Sequence, residues 1–195
     1  MEEFYNEVLL ALQAEDKERA VLLSINALKE EKISVVDLYE KILSPGLASV
    51  VDDYPIIESA YPYILEQRKE PSGQKVIVLC PEFEEHELGA RMVADFFRLE
   101  GFDATFVGAR TPVNTIHKAI EMVEPNYLVI SVTNFYNFVS VKKTIEDIRE
   151  KSTHDLTIVV GGRAISANPE AVEFVDADFE LSGYEAIKKL KEGAE

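Results

Sequence analysis

The sequence predicts an α/β protein in which a small bundle of helices precedes a doubly wound, five-stranded parallel sheet. Three observations carry that expectation. Turn residues at Pro71-Ser72-Gly73 separate two textures of chain. Before them, apolar residues recur only at helical spacing. After them, short apolar runs alternate with amphipathic helical stretches, the pattern of strands joined by helical crossovers.

Each element follows in turn. Phe4, Val8 and Leu12 fall four apart, and Val21, Ile25 and Leu28 do so within one position. Ser34 with Asp37 resembles a capping box that opens a third helix through Tyr39 and Leu43. Ser44-Pro45-Gly46 should interrupt or kink the chain, and a last helix is expected near 56–69 with a kink at Pro62. Strands are predicted at 75–80, 104–107, 127–132, 157–160 and 178–181. Helices are predicted near 88–100, 113–123, 139–151, 169–175 and 184–192. Thr111-Pro112 and Asn168-Pro169 each place a capping residue before a helix-starting proline, and Ser182-x-x-Glu185 is a second capping box. Crossovers between such strands are expected to be right-handed, and the strand order is taken as the flavodoxin-like 2-1-3-4-5. The expected division is a helical domain over 1–70 and an α/β domain over 74–195.

Charge narrows the function classes. The chain of 195 residues carries a formal net charge of −16. Residues 1–70 hold 7 Lys/Arg against 15 Asp/Glu and residues 71–195 hold 13 against 21, so each part contributes −8. Neither part offers a basic face, which disfavours direct binding to nucleic acid or an anionic membrane. The single cysteine, Cys80, follows an apolar run and reads as a buried thiol. An acidic N-terminus and the lack of a long apolar run fit a cytoplasmic protein.

In a sheet of this order, ligands bind beyond the carboxyl ends of the strands, where the strand order reverses. Three loops fall there: 80–89 (CPEFEEHELG), 131–134 (SVTN) and 161–163 (GGR). His86 with Glu84 two positions earlier suits metal ligation, because the carboxylate can accept the imidazole's other N–H and fix its tautomer. Gly161-Gly162 would let backbone approach a bulky ligand, and Ser131 and Thr133 could hydrogen-bond its polar edge. The alternatives fit less well. A dinucleotide or phosphate loop would need glycines between the first strand and Gly89. A phospho-receiver would end its third strand in Asp, where Ser131 stands. One histidine among acids is too few ligands for a protein zinc site, whereas a metal that brings its own macrocycle needs only one axial side chain.

Together these loops resemble the cobalamin-binding domain family over residues 74–190. Its pattern of acid-x-His-x-x-Gly, Ser-x-Leu or Ser-x-Thr, and Gly-Gly reads here as Glu84-x-His86-x-x-Gly89, Ser131-x-Thr133 and Gly161-Gly162. The resemblance implies that His86 displaces the cofactor's dimethylbenzimidazole and binds cobalt from below, with Glu84 hydrogen-bonded to it. It implies further that Ser131, Thr133, Gly161 and Gly162 accommodate the nucleotide tail, and that the N-terminal helices cap the upper corrin face. In that cap the family carries a Trp and a Glu-His pair. This chain has neither a Trp nor a His before His86, and Tyr54 and Glu58 stand at the nearest matching places. Phe83 replaces the usual small residue before the motif acid.

The segment around His86 looks more like the sensor domain of cobalamin-dependent light-sensing regulators than like methyl-carrying corrinoid proteins. A stand-alone sensor acting on a protein partner is therefore the first functional expectation. A corrinoid carrier serving a methyltransferase is the second, and a degenerate member acting only through protein contacts is the third. The upper ligand is left open among adenosyl-, methyl- and hydroxo- forms of cobalamin, and a homo-oligomer is compatible with each reading. His117 and His154 read as surface residues, and the aromatic run Phe135-Tyr136-Asn137-Phe138 could flank the cofactor or pack beneath the helix that follows, with packing the preferred expectation.

Overall fold

A computed structural model describes residues 2–46, 54–168 and 170–192. Two compact units divide the chain, Met1–Arg68 and Lys69–Glu195.

The first unit is helical. α1 (Glu2–Gln13) and α2 (Lys17–Lys29) turn Val8, Leu12, Ala20, Ala27 and Leu28 inward. The Ser34–Asp37 capping box opens α3 (Val35–Asp37), with Asp37 N–H donating to Ser34 Oγ at 3.0 Å and Ser34 N–H to Asp37 Oδ2 at 3.1 Å. Of the interruption or kink expected at Ser44-Pro45-Gly46, the interruption is not seen over these three residues, which are helical. A π-helical turn (Leu38–Leu43), whose i→i+5 bonding displaces the carbonyl row, leads directly into α4 (Ser44–Gly46). α5 (Tyr54–Gln67) buries Ile56, Ile57, Ala60 and Ile64 and runs on through Pro62, which lies on its exposed side.

The second unit holds β1 (Lys75–Pro81), α6 (Leu88–Leu99), β2 (Asp103–Thr111), α7 (Val113–Val123) and β3 (Tyr127–Ser131). It continues with α8 (Phe138–Lys151), β4 (Thr157–Gly161), α9 (Arg163–Ser166), α10 (Ala171–Val175), β5 (Phe179–Leu181) and α11 (Tyr184–Glu192). All pairings are parallel, and the strand order is β2-β1-β3-β4-β5, as the sequence predicts. β1, β3 and β4 are buried almost throughout because helices cover both faces of the sheet, which is why they read as unbroken apolar runs. On one face Ile116 and Ile120 of α7 and Val141, Ile145 and Ile148 of α8 close over Ile77, Leu79, Leu128, Ile130 and Ile158. Each such fully buried side chain contributes about 1.5–3 kcal/mol. Elsewhere in this unit Phe102 stacks edge-on against Phe97 and Tyr127, at centroid separations of 5.2 and 6.0 Å.

Three local expectations are corrected. β2 extends to Thr111, so the Thr111 hydroxyl donates to Gly108 O at 3.0 Å instead of capping α7, and Pro112 occupies the cap position. The short helix α9 was unanticipated, since Gly161-Gly162-Arg163 reads only as a loop. α10 begins at Ala171; the proline expected to start it, Pro169, lies outside the described residues. Among the described residues no helix is long and apolar enough to cross a membrane.

Chain entering this unit is fastened to the end of α6. Lys69 N–H donates to Leu99 O and Ser72 N–H to Gly101 O, both at 2.9 Å. Gly101 has φ +90°, and a Cβ there would lie 2.2 Å from Glu70 O, so only glycine fits. Beside it the buried Glu100 carboxylate accepts from Lys69 Nζ at 2.7 Å and from the Tyr184 hydroxyl at 2.5 Å.

Candidate functional site

The carboxyl ends of β1 and β3 converge on one buried carboxylate. After β1, Glu84 N–H donates to Pro81 O at 2.8 Å, closing a turn that swings the Glu84 side chain inward. Its Oε2 accepts from the backbone N–H groups of Thr133 and Asn134, both at 2.9 Å, and from Asn137 Nδ2 at 3.3 Å. Its Oε1 accepts from His86 N at 3.2 Å and lies 2.5 Å from His86 Nδ1. Glu84 is 1% exposed, whereas the His86 side chain is 68% exposed. Burial pushes the Glu84 carboxyl up, but hydrogen bonds from the His86 ring, Asn134, Thr133 and the His86 backbone outweigh it and hold the group below its ordinary value. An ionised carboxylate can only accept, so Nδ1 is the donor, and the neutral ring's lone pair falls on Nε2.

The neighbouring acids are largely compensated. Glu85 pairs with Arg110, and Glu87 accepts from Arg91 Nε and from Ala109 N, each at 3.2 Å. Arg110 N–H donates to Glu84 O at 3.0 Å, so the end of β2 holds the 82–87 loop from the other side. Among the described residues no three His, Cys, Asp or Glu side chains gather as ligands for a free metal ion. His86 would serve as a lone protein donor.

Whether a flat macrocycle fits can be judged from the glycines. A Cβ built on Gly89 or on Gly108 meets nothing within 4 Å, so open space lies at the start of α6 and along the end of β2. The exposed His86 ring, anchored by a buried anion beside that space, suits a corrinoid held through one axial nitrogen. Gly161 and Gly162 meet a requirement of the fold itself. A Cβ on Gly161 would lie 2.9 Å from Leu181 O, and one on Gly162, at φ +97°, 2.6 Å from Val132 O. Packing of this chain against itself therefore already requires both glycines.

The other predicted residues are placed as follows. Ser131 is buried at the end of β3, opposite Gly161. Thr133 is half-buried and reaches Glu84 through its backbone N–H. Tyr54 and Glu58 belong to the helical unit, Tyr54 half-buried as the first residue of α5 and Glu58 exposed one turn on. His117 is not a plain surface residue: it is half-buried, with Nε2 2.6 Å from Asp147 Oδ2 on α8. His154 is half-buried too. The aromatic run also departs from expectation, since Phe138 packs on the core while Phe135 and Tyr136 are exposed. A 3-10 turn (Phe135–Asn137), capped by Asn134, aims them outward. Asn137 is the residue that sequence reasoning passed over. It is buried, and its amide donates to Phe83 O at 3.1 Å as well as to Glu84. An amide within an aromatic run was the available signal.

Comparison with known proteins agrees with this fold. The profile of the B12 binding domain family matches residues 74–188. The HTH-type transcriptional repressor CarA of Myxococcus xanthus is 23% identical over 117 residues, covering 60% of this chain and only 40% of the repressor. Among solved structures, the monomethylamine corrinoid protein of Methanosarcina barkeri superimposes with a TM-score of 0.80 at 18% identity, covering 100% of this chain and 99% of that one. A cobalamin-binding protein from Desulfitobacterium hafniense DCB-2 gives a TM-score of 0.58 at 16% identity, covering 98% of this chain and 89% of that one. The methanol:cobalamin methyltransferase complex of Methanosarcina barkeri gives 0.57 at 16% identity, with 98% and 79% covered.

Proposed function

This chain belongs to the B12 binding domain family, and on that premise we propose that it is a corrinoid carrier with His86 as the lower axial ligand of cobalamin. The observation that carries the ligand assignment is the Glu84–His86 pair: a buried, multiply hydrogen-bonded carboxylate orienting an exposed imidazole. Cobalamin supplies a cobalt centre able to accept and pass on an alkyl group. Glu84 fixes the tautomer and raises the donor strength of Nε2, and Asn137 with the Thr133 and Asn134 N–H groups keeps Glu84 in place. Gly89 and Gly108 leave room beside the ring, and Ser131 and Thr133 are proposed neighbours of the nucleotide tail. The end-to-end likeness to a corrinoid protein, both units included, favours a carrier working with a methyltransferase partner. A second reading, a sensor acting through a protein partner, draws on the sequence match to a transcriptional repressor.

Electron paramagnetic resonance of the Co(II) cobalamin complex tests the ligand directly. Protein labelled with 15N-histidine should convert the nitrogen triplet splitting of each line to a doublet, and His86→Ala should abolish that change. A triplet that persists in the labelled protein would rule His86 out. Light-driven change of oligomeric state in the adenosylcobalamin complex would favour the sensor; methylation of the Co(I) form by a partner methyltransferase would favour the carrier.

A further inference from the structure

Three large aromatic side chains stand out of the loops that hold the Glu84–His86 pair. Phe83 is 66% exposed, Phe135 55% and Tyr136 78%. Phe83 precedes Glu84 directly, and Phe135 follows Asn134, whose N–H is bonded to the Glu84 carboxylate. Asn137, one residue beyond Tyr136, donates to Phe83 O, so the two loops are tied to each other. Phe135 and Tyr136 already stack, with ring centroids 4.1 Å apart and planes inclined by 38°. The fold did not lack room for aromatics here, since Phe138 in the same run turns into the core.

We propose that Phe83, Phe135 and Tyr136 form an aromatic rim that receives the apolar edge of the corrin macrocycle. This rests on the B12 reading above and adds to it a contact that depends on the ring system and not on the axial bond. A macrocycle held at its centre by one nitrogen extends sideways over whatever flanks that nitrogen. The tied loops that carry the Glu84–His86 pair also hold Glu85, paired with Arg110, and Glu87, paired with Arg91, and the apolar side chains they expose are Phe83, Phe135 and Tyr136. Exposed apolar groups gathered at one place suit a binding surface, and cofactor sites combine apolar walls with a few placed polar groups. The Glu84–His86 pair supplies the polar part and the rim supplies the wall. An exposed pair that stacks without ligand loses little side-chain freedom when one arrives.

The test uses the full chain, with hydroxocobalamin and aquocobinamide as probes, the second lacking the nucleotide tail. Absorbance titrations would compare the wild type with Phe83→Ser, the double variant Phe135→Ser/Tyr136→Ser, and a control, Met122→Ser, at an exposed site on α7. The rim predicts that Kd rises about tenfold for each ring removed, alike for both probes, with the saturated spectrum and the unfolding midpoint of the free protein unchanged. The control should bind as the wild type does. Equal Kd for wild type and variants overturns the rim and leaves the B12 reading intact. An effect seen with cobalamin but not cobinamide overturns it too, by moving the rings to the nucleotide tail. Wild-type protein that binds neither probe overturns both the reading and the rim.

Discussion

Oε1 of Glu84 lies 2.5 Å from Nδ1 of His86, joining a side chain that is almost wholly buried to one that is mostly exposed. The asymmetry matters more than the distance. A buried carboxylate left without partners would cost several kcal/mol, and here backbone N–H groups from two loops and one amide provide them. The imidazole thereby gains a fixed partner without itself being enclosed.

Removing the anion should cost stability before any cofactor is added. Glu84→Ala strands the Thr133 and Asn134 N–H groups, and we expect a loss of about 3 kcal/mol in urea unfolding of the free protein. Asn137→Ala leaves those bonds in place and should cost about 1 kcal/mol. Equal losses for the two variants would contradict the central role of Glu84.

Acid should weaken the free protein in a predictable window. The folded-state pKa of Glu84 is lowered below its ordinary 4.5, so its contribution is present above that value and is lost as pH falls through the lowered one. Asp37, held at about 2 by hydrogen bonds from Lys41 and Ser34, acts likewise below its ordinary 3.8. Unfolding midpoints of Glu84→Gln measured from pH 6 to pH 3 should fall less steeply than those of the wild type; parallel curves would contradict the assignment.

The glycines should separate by variant. Gly89→Ala lies in α6 with nothing within 4 Å of the new Cβ, so the free protein should be unchanged or up to about 1 kcal/mol more stable. Its affinity for hydroxocobalamin should drop, because the methyl occupies space kept for the ligand. Gly162→Ala, by contrast, drives a Cβ onto Val132 O at positive φ and should cost about 2 kcal/mol or more without any ligand present. Thermal unfolding of the two free variants checks the contrast.

Cys80 should be inert in the folded protein. Burial first, and then the charges of Glu84 and Glu87, push its thiol up to about 12 from an ordinary 9.0. Iodoacetamide at pH 8 should label it only as fast as the chain opens, and full labelling within minutes under native conditions would show that the end of β1 is accessible.

Much of this protein was legible in its sequence. Fully buried parallel strands must be apolar along their whole length, so β1, β3 and β4 announced themselves, and the expected flavodoxin-like order is the one observed. Glu84, His86 and Gly89 were legible because they lie within six residues of one another, where spacing alone puts an acid beside an imidazole. What acts over longer separations was not. Thr133 was noticed for its hydroxyl, whereas its bond to Glu84 runs through its backbone N–H, and a donor that every non-proline residue owns leaves no trace in residue type. Asn137 meets Glu84 across 53 positions of chain. The need for Gly161 and Gly162 was visible, but its reason lay in Leu181 and Val132, which only the closed sheet brings against them. Composition left Phe135 and Tyr136 between packing beneath the next helix and flanking a ligand, and the turn capped by Asn134 put them outside. The sequence by itself determined which elements form and which acid partners the histidine, because both are local. Tertiary structure decided what holds that pair and what surrounds it, because those contacts exist only once distant strand ends meet.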